Sequence, residues 1–255
     1  MTTPEITVRK CETLEEMQAC FSLHHEVWNF SDAELVPVRL FVVANKIGGQ
    51  VIGAFEGAGA TLVGFALAFP GWRNGHAYLH SQMLAVRKQY RNRGLGRQLK
   101  LAQRDDAIAR GFALMEWTFD PLEIKNAYLN IEKLGAIARR YNANQYGTTS
   151  SPLQGGLPSD RLVAEWWLKS RRVEAVLRGT GRPIFEPASR VTVPAEIYEW
   201  KAAASTRAKA AAVQEKNRAE IESAFAGGLS ILGYDRDGHG NGQFLLGAWD
   251  EGLTY

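Results

Sequence analysis

The sequence predicts an α/β (α+β) fold, a mixed central sheet with helices on its faces and a C-terminal α/β extension. Short β-rich runs alternate with runs whose apolar residues recur every three or four positions, which is the pattern of strands and amphipathic helices. Gly, Pro and Asn mark most junctions between these runs. The 255 residues, 45% hydrophobic and 22% charged, suffice for a substantial core.

The first two-thirds of the chain account for most of the predicted sheet. Thr13 and Glu16 form a capping-box signal at the first helix, and the Gly-rich run EGAGA predicts a hairpin. Asp120-Pro121 ends a strand. In order, the patterns predict a strand at 6–11, helices at 14–29 and 37–47, strands at 50–56, 61–69 and 77–86, a helix at 96–110, a strand at 113–119, a helix at 124–134, a strand at 136–146, a loop at 148–160 and a strand at 161–168.

The last third differs in character. Residues 172–194 suggest short strands, and residues 195–226, rich in Ala, Lys and Glu, predict one long helix. Strands at 229–235 and 243–249 flank DGHGNG, which predicts a hairpin. We therefore expect a core at 1–169 and an extension at 170–255 that packs on it.

Composition excludes several classes of protein. A net charge of +3 and a pI of about 8.8 do not indicate a nucleic-acid partner. Cys11 and Cys20 lack metal-ligand spacing, and the DGHGNG turn misses the EF-hand spacing, so no metal is expected. The sequence shows no signal peptide and no apolar run long enough for a bilayer, so we expect a cytoplasmic protein with no membrane partner. A homodimer is left open.

Gly94 and Gly96 lie where a predicted strand has ended and a helix begins. Unpaired amides at a helix start bind phosphate, and glycine lets the backbone approach an anion closely. Arg91, Arg93 and Arg97 add positive charge. The spacing is neither GxxxxGK[ST] nor GxGxxG, so Walker A and Rossmann sites are unsupported. A plain turn before a solvated basic helix is the alternative.

The residues around this loop resemble the GNAT acyltransferase superfamily. Arg91-Asn92-Arg93-Gly94-Leu95-Gly96 matches that family's [QR]xxGx[GA] signature, and Leu84-Ala85-Val86 matches the strand before it. The element order from residue 6 to 168, about two-thirds of the chain, resembles the whole GNAT core. The segment 118–136 resembles an uncharacterised prokaryotic branch with an FDPL…NA…N…LGA run.

The resemblance implies a GNAT-like acyl-CoA N-acyltransferase fold with acetyl-CoA, or another acyl-CoA, as co-substrate. The backbone of 91–97 would hold the CoA pyrophosphate. The backbone of 84–86 would pair with the pantetheine arm, and an N–H there would polarise the thioester carbonyl. The cofactor-binding residues implied are Leu84, Ala85, Val86, Arg91, Asn92, Arg93, Gly94, Leu95, Gly96, Arg97, Asn126 and Asn130.

Three side chains are candidates for proton transfer. His80 lies on the strand before the loop, at a position where some GNAT enzymes carry a catalytic Glu, and Asp120 ends a neighbouring strand. The alternatives are a structural histidine and a turn aspartate. Ile131 stands where the family often has a Tyr that acts as general acid. Tyr128 on the same helix is therefore the candidate acid, and packing in the core is the alternative role for it.

The leading hypothesis is an N-acyltransferase, an acetyltransferase by expectation, in which an amine of an unidentified acceptor attacks the thioester directly. A second hypothesis is a non-catalytic acyl-CoA-binding or regulatory module, which the Ile131 departure favours. A third is an interaction protein whose basic helix start meets an acidic partner. The sequence carries no signature of the acceptor.

Overall fold

The computed structural model describes residues 5–28, 35–57, 61–147 and 154–254. These residues fall into two compact units, one ending at Met115 and the other spanning Glu116–Thr254. The boundary between these units, after Met115, differs in kind from the predicted boundary between core and extension after residue 169, which stays a prediction. Part of the predicted EGAGA turn and of the loop at 148–160 lies outside the described residues.

The first unit is an antiparallel sheet with helices on both faces. Its strands lie in the order β1-β2-β3-β4, each antiparallel to the next. The elements are β1 (Ile6–Lys10), α1 (Leu14–Trp28), α2 (Val38–Lys46), β2 (Gln50–Glu56), β3 (Thr61–Arg73), β4 (His76–Val86), a 3-10 turn (Lys88–Tyr90) and α3 (Leu95–Ala109). The predicted strands and helices of this part are thus present.

The two faces of this sheet bury separate apolar clusters. Helices α1 and α2 cover one face, where Phe41 packs edge-on against Phe65 with ring centroids 5.6 Å apart. Helix α3 covers the other through Leu95 and Leu99. The predicted capping box of α1 is confirmed: Glu16 N–H donates to Thr13 Oγ1 and Thr13 N–H to Glu16 Oε2, both at 3.3 Å.

The β3–β4 hairpin is longer than predicted. Pro70 and Gly71 lie inside β3, and the turn is made by Asn74 and Gly75, whose φ angles of 49° and 84° are left-handed. Gly71 is needed because a Cβ there would lie 2.5 Å from the ring of Tyr78. Extended pairing therefore overrides the Pro-Gly turn signal.

The second unit contains strands in the order β5-β7-β6-β9-β10-β8. Helix α7 packs on β6, β8 and β9, and Arg218 of α7 donates to the fully buried Asp160 at 2.8 and 2.9 Å. The elements are β5 (Leu114–Phe119), which begins in the first unit, α4 (Ile124–Tyr128), a π-helical turn (Leu129–Lys133), β6 (Ile137–Asn142), β7 (Arg161–Trp167), α5 (Arg171–Leu177), β8 (Ser189–Val193), α6 (Ile197–Ala202), α7 (Arg207–Ala226), β9 (Leu229–Arg236) and β10 (Gly242–Ala248).

Two predictions for the last third are wrong in detail. Residues 172–194 contain helix α5 and one strand, because Ser170 caps α5 by accepting from Val173 N–H at 3.2 Å. The long helix at 195–226 is two helices. Thr206 Oγ1 donates to the carbonyls of Trp200 and Ala203, which competes with helical pairing at that point. The predicted strand at 136–146 is shorter, Ile137–Asn142.

The DGHGNG turn is a hairpin between β9 and β10, as predicted. The carboxylate of Asp237 accepts hydrogen bonds from the backbone of His239 and from the backbone and side chain of Asn241. In the described ranges, no group of three or more His, Cys, Asp or Glu side chains could hold a metal ion. Likewise, no helix among them is long and apolar enough to cross a membrane.

Candidate functional site

The loop between β4 and α3 turns the chain onto the start of a 15-residue helix. The 3-10 turn follows β4 directly, and Arg91 Nε donates to Val86 C=O at 2.9 Å, which closes the loop on the strand end. Asn92 and Gly94 have φ angles of 61° and 79°, a left-handed conformation that Asn tolerates and Gly favours. The sequence RNRGLG therefore places Asn and Gly at the two positions of the loop where the backbone is left-handed.

The first turn of α3 presents backbone donors. The first bond within the helix runs from Gln98 N–H to Gly94 C=O at 3.1 Å, so the amides of residues 95–97 precede it. No acidic residue lies in this turn of the helix. The helix dipole adds partial positive charge at the same place. This is the geometry that binds phosphate groups.

Three arginines lie next to these amides in the sequence. Arg91 and Arg93 are exposed and Arg97 is half-buried. Arg93 lies over the ring of Tyr90 with its Cζ 5.9 Å from the centroid. A hydrogen bond to Glu56 raises the pKa of Tyr90 and connects the loop to β2. The loop is thus connected to β2 through Tyr90, while Arg91 and Arg93 are exposed to solvent.

The two glycines leave space for a ligand. A Cβ on Gly94 would meet no atom within 4 Å, and one on Gly96 would meet only Leu84 at 3.4 Å, an ordinary contact. Neighbouring protein atoms therefore do not require glycine at 96. A close approach of an anion to the backbone would require glycine at 96. The glycine at 94 is explained separately by its positive φ angle. These observations fit the pyrophosphate of CoA.

A β-bulge interrupts β4 just before the predicted CoA strand. Leu67 pairs with Met83 and Ala68 pairs with Ser81, so Gln82 has no counterpart in β3. His80 pairs with Phe69, which packs in the α1–α2 cluster, whereas Val86 packs in the α3 cluster. The bulge therefore places His80 and Val86 on opposite faces of the sheet, although they are six residues apart.

A buried polar group lies beside the bulge, under α3. Lys100 Nζ donates to Ser81 Oγ at 2.7 Å, and Ser81 Oγ donates to Gln103 Oε1 at 2.9 Å. All three side chains are buried, and burial lowers the pKa of Lys100 well below its usual value. The helix that begins at the loop is therefore also fastened to β4 next to the bulge. Sequence reasoning missed these residues, although Lys100 and Gln103 occupy buried positions of the helix.

In the second unit, Asp120 is held by two contacts. Its Oδ1 accepts from Leu122 N–H at 2.8 Å, which is the turn geometry expected of Asp before Pro. Its Oδ2 accepts from Lys201 Nζ at 3.0 Å, and Lys201 also reaches Glu123 at 3.0 Å. Burial alone would lower the pKa of Lys201, but the two carboxylates raise it. These contacts favour the structural alternative for Asp120.

Tyr128, Asn126 and Asn130 lie on one continuous helical segment. Asn126 is exposed and Asn130 is buried. The ring of the half-buried Tyr128 has Lys133 Nζ at 5.1 Å and Arg236 Cζ at 5.6 Å from its centroid. The segment changes from α to π geometry after Tyr128, where Leu134 N–H donates to Leu129 C=O at 3.0 Å.

Ile131, at the family's usual Tyr position, is fully buried. Tyr128 is half-buried, so the two positions have different surroundings. The predicted helix at 124–134 is present but contains the π-helical turn. The roles of His80, Asp120, Tyr128 and the asparagines stay predictions.

Comparison with known proteins identifies the family of this segment. Residues 12–128 match the family model described as the Acetyltransferase (GNAT) family. The match includes the β4–α3 loop. It confirms the resemblance predicted from the sequence. Among curated proteins, no relative matches.

Solved structures show the same fold at low identity. The ribosomal-protein-S18-alanine N-acetyltransferase of Escherichia coli aligns over 65% of this chain and 96% of its own, with 17% identity and a TM-score of 0.51. An acetyltransferase of Salmonella typhimurium, solved with its cofactor acetyl-CoA, aligns over 66% and 96% with 18% identity and a TM-score of 0.52. An N-acetyltransferase of Staphylococcus aureus Mu50 aligns over 65% of this chain and 99% of its own, with 16% identity and a TM-score of 0.52. The predicted GNAT fold is therefore confirmed.

Proposed function

We propose that this chain is a GNAT enzyme that transfers an acyl group, acetyl by expectation, from acyl-CoA to an amine. The observation that carries the proposal is the β4–α3 loop. Its left-handed Asn92 and Gly94 lead into the first amides of α3, and residues 91–97 include three arginines. The family match covers this loop. An anion with two phosphates suits this set of donors better than a carboxylate, because the loop offers several amides and several guanidinium groups.

The residues of the loop and of β4 would hold the co-substrate. The amides of 91–97 and the arginines would bind the pyrophosphate, and the backbone of 84–86 would pair with the pantetheine arm. Acyl-CoA supplies the acyl group as an activated thioester. An N–H of β4 near the bulge would donate to the thioester oxygen as negative charge develops there. No side chain of 84–86 is needed for this role.

Transfer requires that the amine lose a proton and that the thiolate leave. In the proposed reaction the amine nitrogen bonds to the acyl carbon, the carbon–sulfur bond breaks, and the amine proton passes to a base. His80 is the first candidate for that base, and Asp120 is the second. Tyr128 is the candidate for protonating the thiolate. A CoA thiolate is a good leaving group, so a weak acid would slow the reaction without preventing it.

A second candidate function is an acyl-CoA-binding or regulatory module without turnover. Two observations favour it: Ile131 is fully buried at the family's acid position, and the Asp120 carboxylate is engaged by Lys201 and the Leu122 amide. The β4–α3 loop is equally consistent with both functions. Binding and turnover must therefore be measured separately.

Binding is tested by calorimetry with CoA on the full chain and on two isosteric variants, Gly94→Asn and Gly94→Asp. Both residues tolerate the left-handed φ of 79°, and a side chain there meets no neighbour within 4 Å. They differ only in charge, so Gly94→Asp should weaken CoA binding at least about tenfold more than Gly94→Asn. Gly111→Asp, also at a positive φ in open space, is the control and should bind normally. No binding of CoA at millimolar concentration by the wild type would refute the proposal.

Turnover is tested by thiol release from acetyl-CoA in the presence of an amine library. Release that depends on an amine supports the transferase. Binding without release from any amine or acyl-CoA supports the second candidate. The identity of the amine that gives release would define the acceptor class, and a series of acyl chain lengths would define the donor.

A further inference from the structure

The helical segment that carries Tyr128 and Asn130 ends in a cluster of buried carbonyl groups. The last carbonyls of a helix have no partner within it and need donors from elsewhere. Here Leu134 N–H bonds to Leu129 C=O and Ala136 N–H to Asn130 C=O, both at 3.0 Å. Side chains from later in the chain donate to three more carbonyls of this end: Trp166 Nε1 donates to Leu134 C=O at 2.6 Å, and Arg172 donates to the other two.

Arg172 of α5 serves two of them. Its Nε donates to Gly135 C=O at 3.0 Å, and its Nη2 lies 3.4 Å from Ile131 C=O. The side chain is 3% exposed. Burial lowers the pKa of Arg172 to about 10, which still leaves the guanidinium charged at neutral pH. A charged group at this depth has a large desolvation cost, so its placement against the carbonyls of the π-helical turn is specific.

The backbone at this point is shaped to receive α5. Gly135 has a φ of 78°, and a Cβ there would lie 3.2 Å from Val173 Cα and 3.3 Å from Val176 Cβ. Glycine therefore provides both the left-handed turn and the room for α5. Helix α5 is held in turn by Glu251, whose carboxylate accepts from the amides of Arg171 and Arg172.

A second arginine from the C-terminal third fastens the same segment from the side. Arg182 Nε donates to Glu132 Oε1 at 2.9 Å, and that oxygen also accepts from Tyr234 N–H at 2.7 Å. The π-helical turn is thus held by contacts at its end and at its side. Both arginines lie after residue 170.

We infer that Arg172 is a positioning residue for acyl transfer, which it supports by fixing the π-helical turn that places Tyr128 and Asn130. The inference rests on the proposed function of that segment, and it assigns the C-terminal third a part in the site. Arg172 acts through the backbone and touches neither substrate nor reacting atoms. The π-helical turn inserts one residue per turn, so its loss would rotate Asn130 relative to Tyr128.

The test compares Arg172→Met and Arg172→Lys with the control Arg171→Met, whose side chain is exposed on the same helix. Amide hydrogen exchange is followed at Leu134 and Ala136, with the β9–β10 ladder as reference. Arg172→Met should speed exchange at these two amides at least about tenfold while the reference is unchanged. Arg172→Met should also raise the KM for acetyl-CoA about tenfold. Arg172→Lys should have exchange rates and a KM between those of the wild type and those of Arg172→Met.

A merely structural role predicts something else. Exchange would then rise throughout the second unit, and kcat would fall with the folded fraction while KM stayed constant. That result, or unchanged exchange at Leu134 and Ala136, overturns the inference. If Arg172→Met does not fold, the same measurements are made on Arg172→Lys, because one ammonium can reach only one of the carbonyls of Ile131 and Gly135. Wild-type exchange and KM in that variant would also overturn it. A wild type without turnover refutes the proposed function, whereas the exchange data still decide whether Arg172 fixes the turn.

Discussion

Lys201 Nζ lies 3.0 Å from Asp120 Oδ2, and both side chains are buried. The two residues are 81 positions apart in the chain, so the contact connects helix α6 to the turn that precedes α4. Both oxygens of this carboxylate are engaged, one by the Lys201 ammonium and the other by the Leu122 amide. Variants of the two residues can therefore distinguish a structural role of Asp120 from a catalytic role.

We expect Asp120→Asn to destabilise the protein by about 1–3 kcal/mol, because Lys201 then keeps only Glu123 as an anionic partner. The double variant Asp120→Asn/Lys201→Met should recover most of that loss, since no buried ammonium is left. Denaturant unfolding measures the stabilities, and acyl transfer is measured on the same samples. The rate should follow stability. A stable double variant that is about a hundredfold slower would instead identify Asp120 as the base.

His80→Ala should remove an ionisation from the pH–rate profile near neutral pH if His80 is the base. The bulge at Gln82 places this side chain on the face of Phe69, so the prediction requires that the acceptor amine approach from that face. His76→Ala, exposed on the same strand, is the matched control and should leave the profile as it is. An unaltered profile in His80→Ala would exclude the residue as base.

The capping box of α1 gives a prediction about stability and pH. A hydrogen bond from Arg9, with further bonds from the amides of Glu12 and Thr13, lowers the pKa of Glu16 against the opposing effect of burial. Its contribution to stability is therefore present above the unfolded pKa of about 4.3 and is lost as pH falls through the lower folded value.

Glu16→Gln keeps a side chain that can accept the capping bonds but removes the charge. We expect a loss of about 0.5–1 kcal/mol at pH 7 and a smaller difference from wild type below pH 4. Urea unfolding at several pH values measures both, with the exposed Glu12→Gln as control. A constant difference across the pH range would show that the charge of Glu16 does not contribute.

The conformation of the β4–α3 loop could be predicted from the sequence because its determinants are local. Gly94 sits at the bend, the apolar strand precedes it, and the arginines are its near neighbours. A contiguous run of about fifteen residues thus contains the whole arrangement, and the same holds for the Thr13–Glu16 capping box.

The rest of the candidate site depends on contacts between distant residues. The bulge at Gln82 is set by the pairing of β4 with β3, and nothing in the residues around it signals it. The π-helical turn is contacted by Arg172 and Arg182, which are 41 and 50 residues away from their partners in it. Ser170 carried a helix-cap signal for α5 that the prediction of short strands at 172–194 overlooked. Local propensity therefore fixes elements, and long-range polar contacts decide where their side chains point.

Tyr128→Phe tests the remaining candidate for the acid. The ring would keep its place between Lys133 and Arg236, since those contacts involve the ring rather than the hydroxyl. The variant should therefore fold and bind CoA normally. If the hydroxyl protonates the leaving thiolate, kcat should fall about 10- to 100-fold with the KM for acetyl-CoA unchanged. Tyr146→Phe, on a half-exposed tyrosine of the same unit, is the control. Equal rates in both variants would leave protonation of the thiolate to solvent, which is the outcome that the buried Ile131 favours at the family's usual acid position.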